Sequence, residues 1–363
     1  VFVAWRDLRH ARGRFVLIGA VVALITLLVG FLAGLTGGLA SQDVSAVLGL
    51  SGDRVVLQQP ASGSPSYAQS TIGREAVAGW QDAAGVDEVV PVGIVQGRAT
   101  VGAAGTRGSD DAVGVALFGL EGVRSTVGAL APRNNDEVGL SAGAAHDLGA
   151  VVGDTVTITG TAYRVAVIGG DAWYSHTPVV AMTAEAWAAA DRRLGGSGEP
   201  SLLAVSGTPD WDAVAERTDT AASTPLGSLG ALETFRSEVG SLGLMIVMLF
   251  GVSALVVGAF FTVWTMQRSA DVAVLKALGA STRSLVRDAL GQALVVLAVG
   301  IGVGTAAVVV LGALAGGTLP FLLSPLTTLV PAVAMVVLGL GGAAVALRTV
   351  TAADPLTALG SNR

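Results

Sequence analysis

The sequence contains no cysteine, which excludes disulfides, thiolate metal sites and cysteine nucleophiles. It contains one lysine, Lys276, and that lysine is followed by Ala277. A P-loop needs lysine followed by Ser or Thr after a glycine-rich turn. The chain is therefore no conventional P-loop ATPase, and any ATP-derived energy must reach it through another chain. Histidine is scarce too: His10, His146 and His176 are the three, and none is paired at metal-ligand spacing. No GxSxG elbow is present. These absences leave no recognisable enzyme active site. Charge is also sparse, at 13% of 363 residues, against 52% hydrophobic residues and a mean hydropathy of +0.68. Such values point to a membrane protein, and 50 glycines among abundant Ala and Val suit closely packed membrane helices.

What is present is four long apolar runs. Residues 1–14 form a basic lead, with Arg6, Arg9, Arg12 and Arg14 against Asp7, and Trp5 and Leu8 suit a short amphipathic helix on a membrane surface. The first run follows. The uncharged segment 15–35 covers roughly 30 Å at about 1.5 Å per residue, enough to span a bilayer. No small-residue cleavage site follows it, so a retained helix over 15–39 is expected rather than a signal peptide. A second span with an outward helical stalk is expected over 231–266. The third is expected over 289–314 and the fourth over 325–347, interrupted by Pro331, with an outer turn at 315–324.

Charge orients these spans. Residues 40–238 hold 23 acidic and 11 basic residues, a net of −12, while the rest of the chain holds 4 acidic and 10 basic, a net of +6. Basic residues flank membrane helices on the cytoplasmic side. The reading is a multi-pass protein of the cell membrane with a large domain outside, over 40–230, and both termini cytoplasmic, the tail being 348–363. Within the large domain, strand patterns occur at 54–57, 88–95, 112–120, 155–158 and 163–168, with a hairpin turn at Gly160-Thr161. Helical patterns occur at 73–84, 142–148, 184–193 and 210–217, the third capped by Thr183. The fold class is thus a membrane protein of four transmembrane α-helices plus an α+β extracytoplasmic domain inserted between helices 1 and 2.

The loop at 267–288 carries Asp271-Val-Ala-Val-Leu-Lys-Ala-Leu-Gly-Ala-Ser-Thr-Arg283. Val272, Leu275 and Leu278 fall at helical spacing, Gly279 suits a helix stop, and Ser281 suits the N-cap of the next helix. A short amphipathic helix here could dock on a cytoplasmic partner; a solvated turn with positive-inside charges reads equally well. The run Leu275-Lys276-Ala277-Leu278-Gly279-Ala280-Ser281 after a membrane helix resembles the signature of the FtsX/MacB-type (type VII) permeases of ABC transporters. The resemblance implies a coupling helix, with Asp271, Leu275, Lys276, Leu278, Gly279 and Arg283 against a separate ATPase subunit. It further implies two ATPase copies carrying ATP and Mg, a permease homodimer in membrane lipid, and transport by mechanical squeezing. No intrinsic cofactor and no nucleic-acid partner are implied. The run from Glu137 through Ile158 is similar to the part of MacB-type periplasmic domains where a helix leads into a β-hairpin. The domain is compact for that branch, which argues against a tripartite pump.

Trp173-Tyr174-Ser175-His176-Thr177-Pro178-Val179-Val180 reads as an aromatic, polar turn entering a strand. Tyr-Ser-His-x-Pro-Val-Val also resembles the equivalent segment of HrtB-type haem exporter permeases. That narrower resemblance implies haem as the transported ligand, so the iron needs axial ligands and the ring an apolar slot. Candidate contacts are Glu233, Arg236, Glu238, Met245 and Met248 near the second span, Phe31 and Phe235 as ring-packing groups, and Tyr174 and His176. The bland alternatives are solvated stalk charges, lipid-facing methionines and an ordinary β-turn. Two other functions share this architecture: an FtsX-like mechanical relay acting on an extracellular cell-wall hydrolase, and a sensor or lipoprotein-handling subunit.

Overall fold

The computed structural model describes residues 12–102, 112–121, 127–267, 281–316 and 319–351. In chain order its elements begin with α1 (Arg12–Leu48), β1 (Arg54–Gln58), α2 (Arg74–Gln81), β2 (Val86–Val101) and β3 (Val113–Leu120). There follow β4 (Glu137–Leu140), α3 (Ala142–Leu148), β5 (Thr155–Ile158), β6 (Thr161–Ile168), β7 (Trp173–Tyr174) and β8 (Thr177–Thr183). Next come α4 (Ala184–Arg193), β9 (Leu202–Gly207), α5 (Trp211–Arg217), β10 (Thr220–Ser223) and α6 (Pro225–Ser228). Three long helices close the chain: α7 (Glu233–Gln267), α8 (Thr282–Ala315) and α9 (Pro325–Thr351). The chain divides into two compact units, Val1–Gly38 with Ser241–Arg363, and Leu39–Gly240.

The helical unit is built from α1, α7, α8 and α9. Each contains a segment long and apolar enough to cross a membrane: Phe15–Leu48, Glu233–Val263, Val286–Ala315 and Pro325–Val345. A helix satisfies its own backbone, which hydrocarbon demands. The hydroxyls in these segments are satisfied locally as well: Thr26, Thr36, Ser253 and Thr262 each donate to the carbonyl four residues back. Ile18, Val22, Val257, Phe261, Leu297, Ile301 and Met335 form the shared core. Glycines bring the helices close. A Cβ on Gly304 of α8 would sit 2.6 Å from the Ala23 carbonyl oxygen of α1. Gly258 of α7 and Gly342 of α9 likewise face one another, with a Cβ on Gly342 only 3.3 Å from Gly258 backbone.

Two expectations change here. The first helix does not end near residue 39; it continues to Leu48. Gly37-Gly38 resembles a helix end, but both glycines lie inside α1. A Cβ on Gly38 would overlap the Pro320 carbonyl, and one on Gly37 would lie 2.8 Å from the Thr327 side chain. The pair is there for close approach. The fourth helix is not interrupted at Pro331, which lies inside the continuous α9.

The inserted unit is a mixed α/β domain whose strand pairings close on themselves. β2 pairs with β3, β3 with β8, β8 with β4, β4 with β6, β6 with β5, and β5 returns to β2. The first half of β2 pairs instead with β9, which continues through β1 to β10. One 16-residue strand thus belongs to both halves of the sheet. Val115, Leu117, Val138, Leu140, Ile158, Val180 and Met182 pack with α3 and α4 residues in one core. Trp80, Leu203, Val205 and Val214 form a second under α2 and α5. In the third, Val44, Ala46 and Val47 at the end of α1 pack with Phe118, Tyr174, Leu202 and Leu232. Thr183 caps α4 as expected, accepting from the Ala186 N–H, and Ser141 and Asp210 cap α3 and α5 in the same way, accepting from the N–H groups of Ala144 and Ala213. The β5–β6 hairpin turns at Thr159-Gly160, both at positive φ.

Candidate functional site

Three side chains from distant parts of the inserted domain meet at one point. Asp43 lies near the end of α1, His176 in the β7–β8 turn and Glu238 in the second turn of α7. The His176 Nε2 atom lies 3.0 Å from each Glu238 carboxylate oxygen and 3.4 Å from Asp43 Oδ1. One donor atom from each residue lies within 4.8 Å of the other two.

The turn that delivers His176 is tight. Two residues separate β7 from β8, and both, Ser175 (φ 46°) and His176 (φ 61°), are left-handed. Such a turn favours Asn-Gly, because a side chain crowds the backbone there. It is fixed from outside. The Ser175 N–H donates to the Asp43 carbonyl at 3.2 Å and the His176 N–H to the Gln42 carbonyl at 3.1 Å. Ser45 Oγ accepts from the Trp173 N–H at 2.9 Å, and Thr177 Oγ1 donates to the Tyr174 carbonyl at 2.7 Å. The C-terminal end of α1 therefore holds both the turn backbone and the facing carboxylate.

Asp43 is the unusual member. It is fully buried, and neither carboxylate oxygen accepts a hydrogen bond of regular geometry. His176 and Glu238 are about one-third exposed, so the point where the three meet is reachable from solvent.

Of the residues singled out in the sequence, the fold brings His176 and Glu238 together. Tyr174 goes elsewhere. Its side chain is buried, its ring edge-on to Tyr67 and Phe118 at centroid distances of 6.4 and 5.7 Å, and burial pushes its pKa upward. Glu233 and Arg236 are exposed on α7. Glu233 also borders a cavity of about 550 Å³ with Ser66, Tyr67, Trp187 and Glu199. Phe235 is half-buried against the domain core. In the helical unit, Met245 and Met248 are exposed on α7, and Phe31 packs on Phe321 with ring centroids 5.0 Å apart. Arg283 is exposed in the first turn of α8, whose N-cap Ser281 accepts from the Ser284 N–H. Asp271, Leu275, Lys276, Leu278 and Gly279 lie outside the described residues. Asp43 escaped the sequence reading, because its carboxylate falls after an apparent helix end. The available signal was that Ser41-Gln42-Asp43-Val44 contains no helix breaker.

Comparison with known proteins fits this architecture. Residues 243–355 match the FtsX-like permease C-terminal family. Residues 243–355 thus carry an FtsX-like permease domain, the four apolar helices make the chain a multi-pass membrane protein, and over its whole length it is similar to ABC transporter permeases. Over 99% of both chains it is 26% identical to a protein of Staphylococcus haemolyticus named as the hemin transport system permease HrtB. A protein of Staphylococcus epidermidis with the same name is 21% identical over 99% of both chains. An uncharacterized ABC transporter permease of Mycobacterium bovis is 26% identical, again over 99% of both. Among solved structures, the periplasmic region of MacB from Actinobacillus actinomycetemcomitans aligns with a TM-score of 0.35 and 12% identity, covering 49% of this chain and 92% of that one.

Proposed function

We propose that this chain is the membrane subunit of an ATP-driven exporter that removes haem, or a similar amphipathic molecule, from the membrane. The observation that carries this reading is the end-to-end alignment with a protein named as a hemin transport permease. In this proposal two copies of the permease pair with two copies of a separate ATPase, which holds ATP and Mg. The inserted domain lies outside the cell and both termini inside, as the charge asymmetry favours. ATPase motion enters through the loop at 267–288 and squeezes substrate outward.

Met245 and Met248 sit three residues apart on α7, and both are exposed among Leu244, Val247 and Val252. In this reading the face offers thioether and aliphatic contact to an apolar ring. Glu233 and Arg236, exposed on the same helix, offer a carboxylate and a propionate partner.

The test is a hemin titration of the purified full-length protein with its ATPase, read in the visible spectrum. The expected result is a saturable, shifted Soret band at near-stoichiometric hemin, weakened when Met245 and Met248 are both changed to Ala. A spectrum matching free hemin in detergent would remove haem and favour the mechanical-relay reading, in which the partner is an extracellular hydrolase.

A further inference from the structure

We propose that Asp43, His176 and Glu238 form a binding site for one divalent transition-metal cation of the Zn2+ class, separate from any haem site. The geometry is suited to a small ion. An ion held at about 2.0–2.2 Å from each donor sets donor–donor edges of about 3.0 Å in octahedral and about 3.4 Å in tetrahedral coordination. The His176 Nε2 atom lies 3.0 Å from Glu238 Oε1 and 3.4 Å from Asp43 Oδ1.

Asp43 supplies the independent observation. Its carboxylate is buried with no hydrogen bond of regular geometry to either oxygen, and Oδ1 faces the imidazole at 3.4 Å. A buried carboxylate is costly unless it is paired or coordinates a metal. The backbone adds a further sign of purpose, since strained residues collect at functional sites: the turn holding His176 keeps two non-glycine residues left-handed.

The donor set selects among cations. One imidazole nitrogen with carboxylate oxygens suits Zn2+, Mn2+ or Fe2+, whereas Ca2+ takes six to eight oxygens and Mg2+ a near-ideal octahedron rich in water. Partial exposure of His176 and Glu238 gives the ion an entry path and leaves a coordination position for water. A bound ion would fasten the end of α1, the β7–β8 turn and the start of α7 to one another within the inserted domain.

The competing account is a proton, with an imidazolium bridging two carboxylates. Isothermal titration separates the two. Full-length protein carrying a histidine-free purification tag is stripped with chelator and titrated with ZnCl2 alone, with MgCl2 as control, in wild type, Asp43→Asn and His176→Gln. The expected result is one saturable Zn2+ site per chain, with Kd weakened at least about 100-fold in either variant, beyond what loss of an outer-shell partner costs, and no response to Mg2+. A Zn2+-dependent rise in thermal midpoint should appear in wild type alone. Absence of saturable Zn2+ binding in wild type overturns the proposal, as does wild-type affinity in both variants. His176→Gln changes a part-exposed turn residue and Asp43→Asn is nearly isosteric, so a folding failure in one leaves the other to decide. The hemin titration does not enter, so this site and the export reading stand or fall separately.

Discussion

At the scale of single residues, burial governs the polar groups of the inserted domain. Tyr67 is 3% exposed, and its hydroxyl shares a 2.7 Å hydrogen bond with Ser228. Burial pushes its pKa well above the ordinary tyrosine value of 10. Below pH 10 the ring is protonated whether the chain is folded or not, and stability is unaffected. Above pH 10 the unfolded chain releases that proton while the folded one keeps it. Stability is therefore lost as pH rises through the ordinary value towards the folded one. The thermal midpoint of the wild-type protein should fall steeply in that range. Tyr67→Phe should cost about 1 kcal/mol near neutral pH through the lost hydrogen bond. It should also flatten the alkaline fall by up to about 1.4 kcal/mol per pH unit. An unchanged alkaline slope would show that Tyr67 titrates normally in the folded state.

At the scale of elements, close packing of helices decides more than propensity. Gly304 of α8 lies against the backbone of α1, whereas a Cβ on Gly302 would meet nothing within 4 Å. Gly304→Leu should therefore destabilise by about 1–3 kcal/mol, the usual cost of overpacking, seen as a lower thermal midpoint in detergent. Gly302→Leu, one turn position away, should leave the midpoint unchanged. The same packing explains what the sequence reveals and what it hides. Apolar runs, alternation and caps were legible: α3, α4 and β5 have the expected limits, and Thr183 caps α4 as its spacing indicates. The end of α1 was not, because Gly37-Gly38 looks the same whether it ends a helix or admits Pro320. Strands β4, β9 and β10 were missed as well. β4 and β10 are four residues each, and β9 is buried almost throughout, so its Leu-Leu-Ala-Val lacks alternation. The turn at Ser175-His176 was legible, but not the neighbour it faces. Local spacing cannot register an ion site whose members lie on α1, a hairpin and α7.

For the whole molecule, composition alone pointed to a membrane protein, and the matches over 243–355 and over the full relatives agree with that. The step from class to action rests on the cytoplasmic loop of the proposed topology. Lys276→Ala and Gly279→Val should leave the permease folded and membrane-inserted but lower transport per ATP hydrolysed with the partner ATPase. Equal coupling in both variants and wild type would move the contact elsewhere, with exposed Arg283 the next residue to change.

The closed ring of strands in the inserted domain has a further consequence. A sheet that returns to its first strand has no free rim there. Among the described residues the long path ends outward only at β10, a strand of four residues. Unpaired strand rims recruit other chains. Proteins anchored side by side in a membrane meet their neighbours at high local density. This domain can be crowded in that way while offering a neighbour only short stretches to zip onto: β10, the two-residue β7 and the parts of β2 paired on one edge.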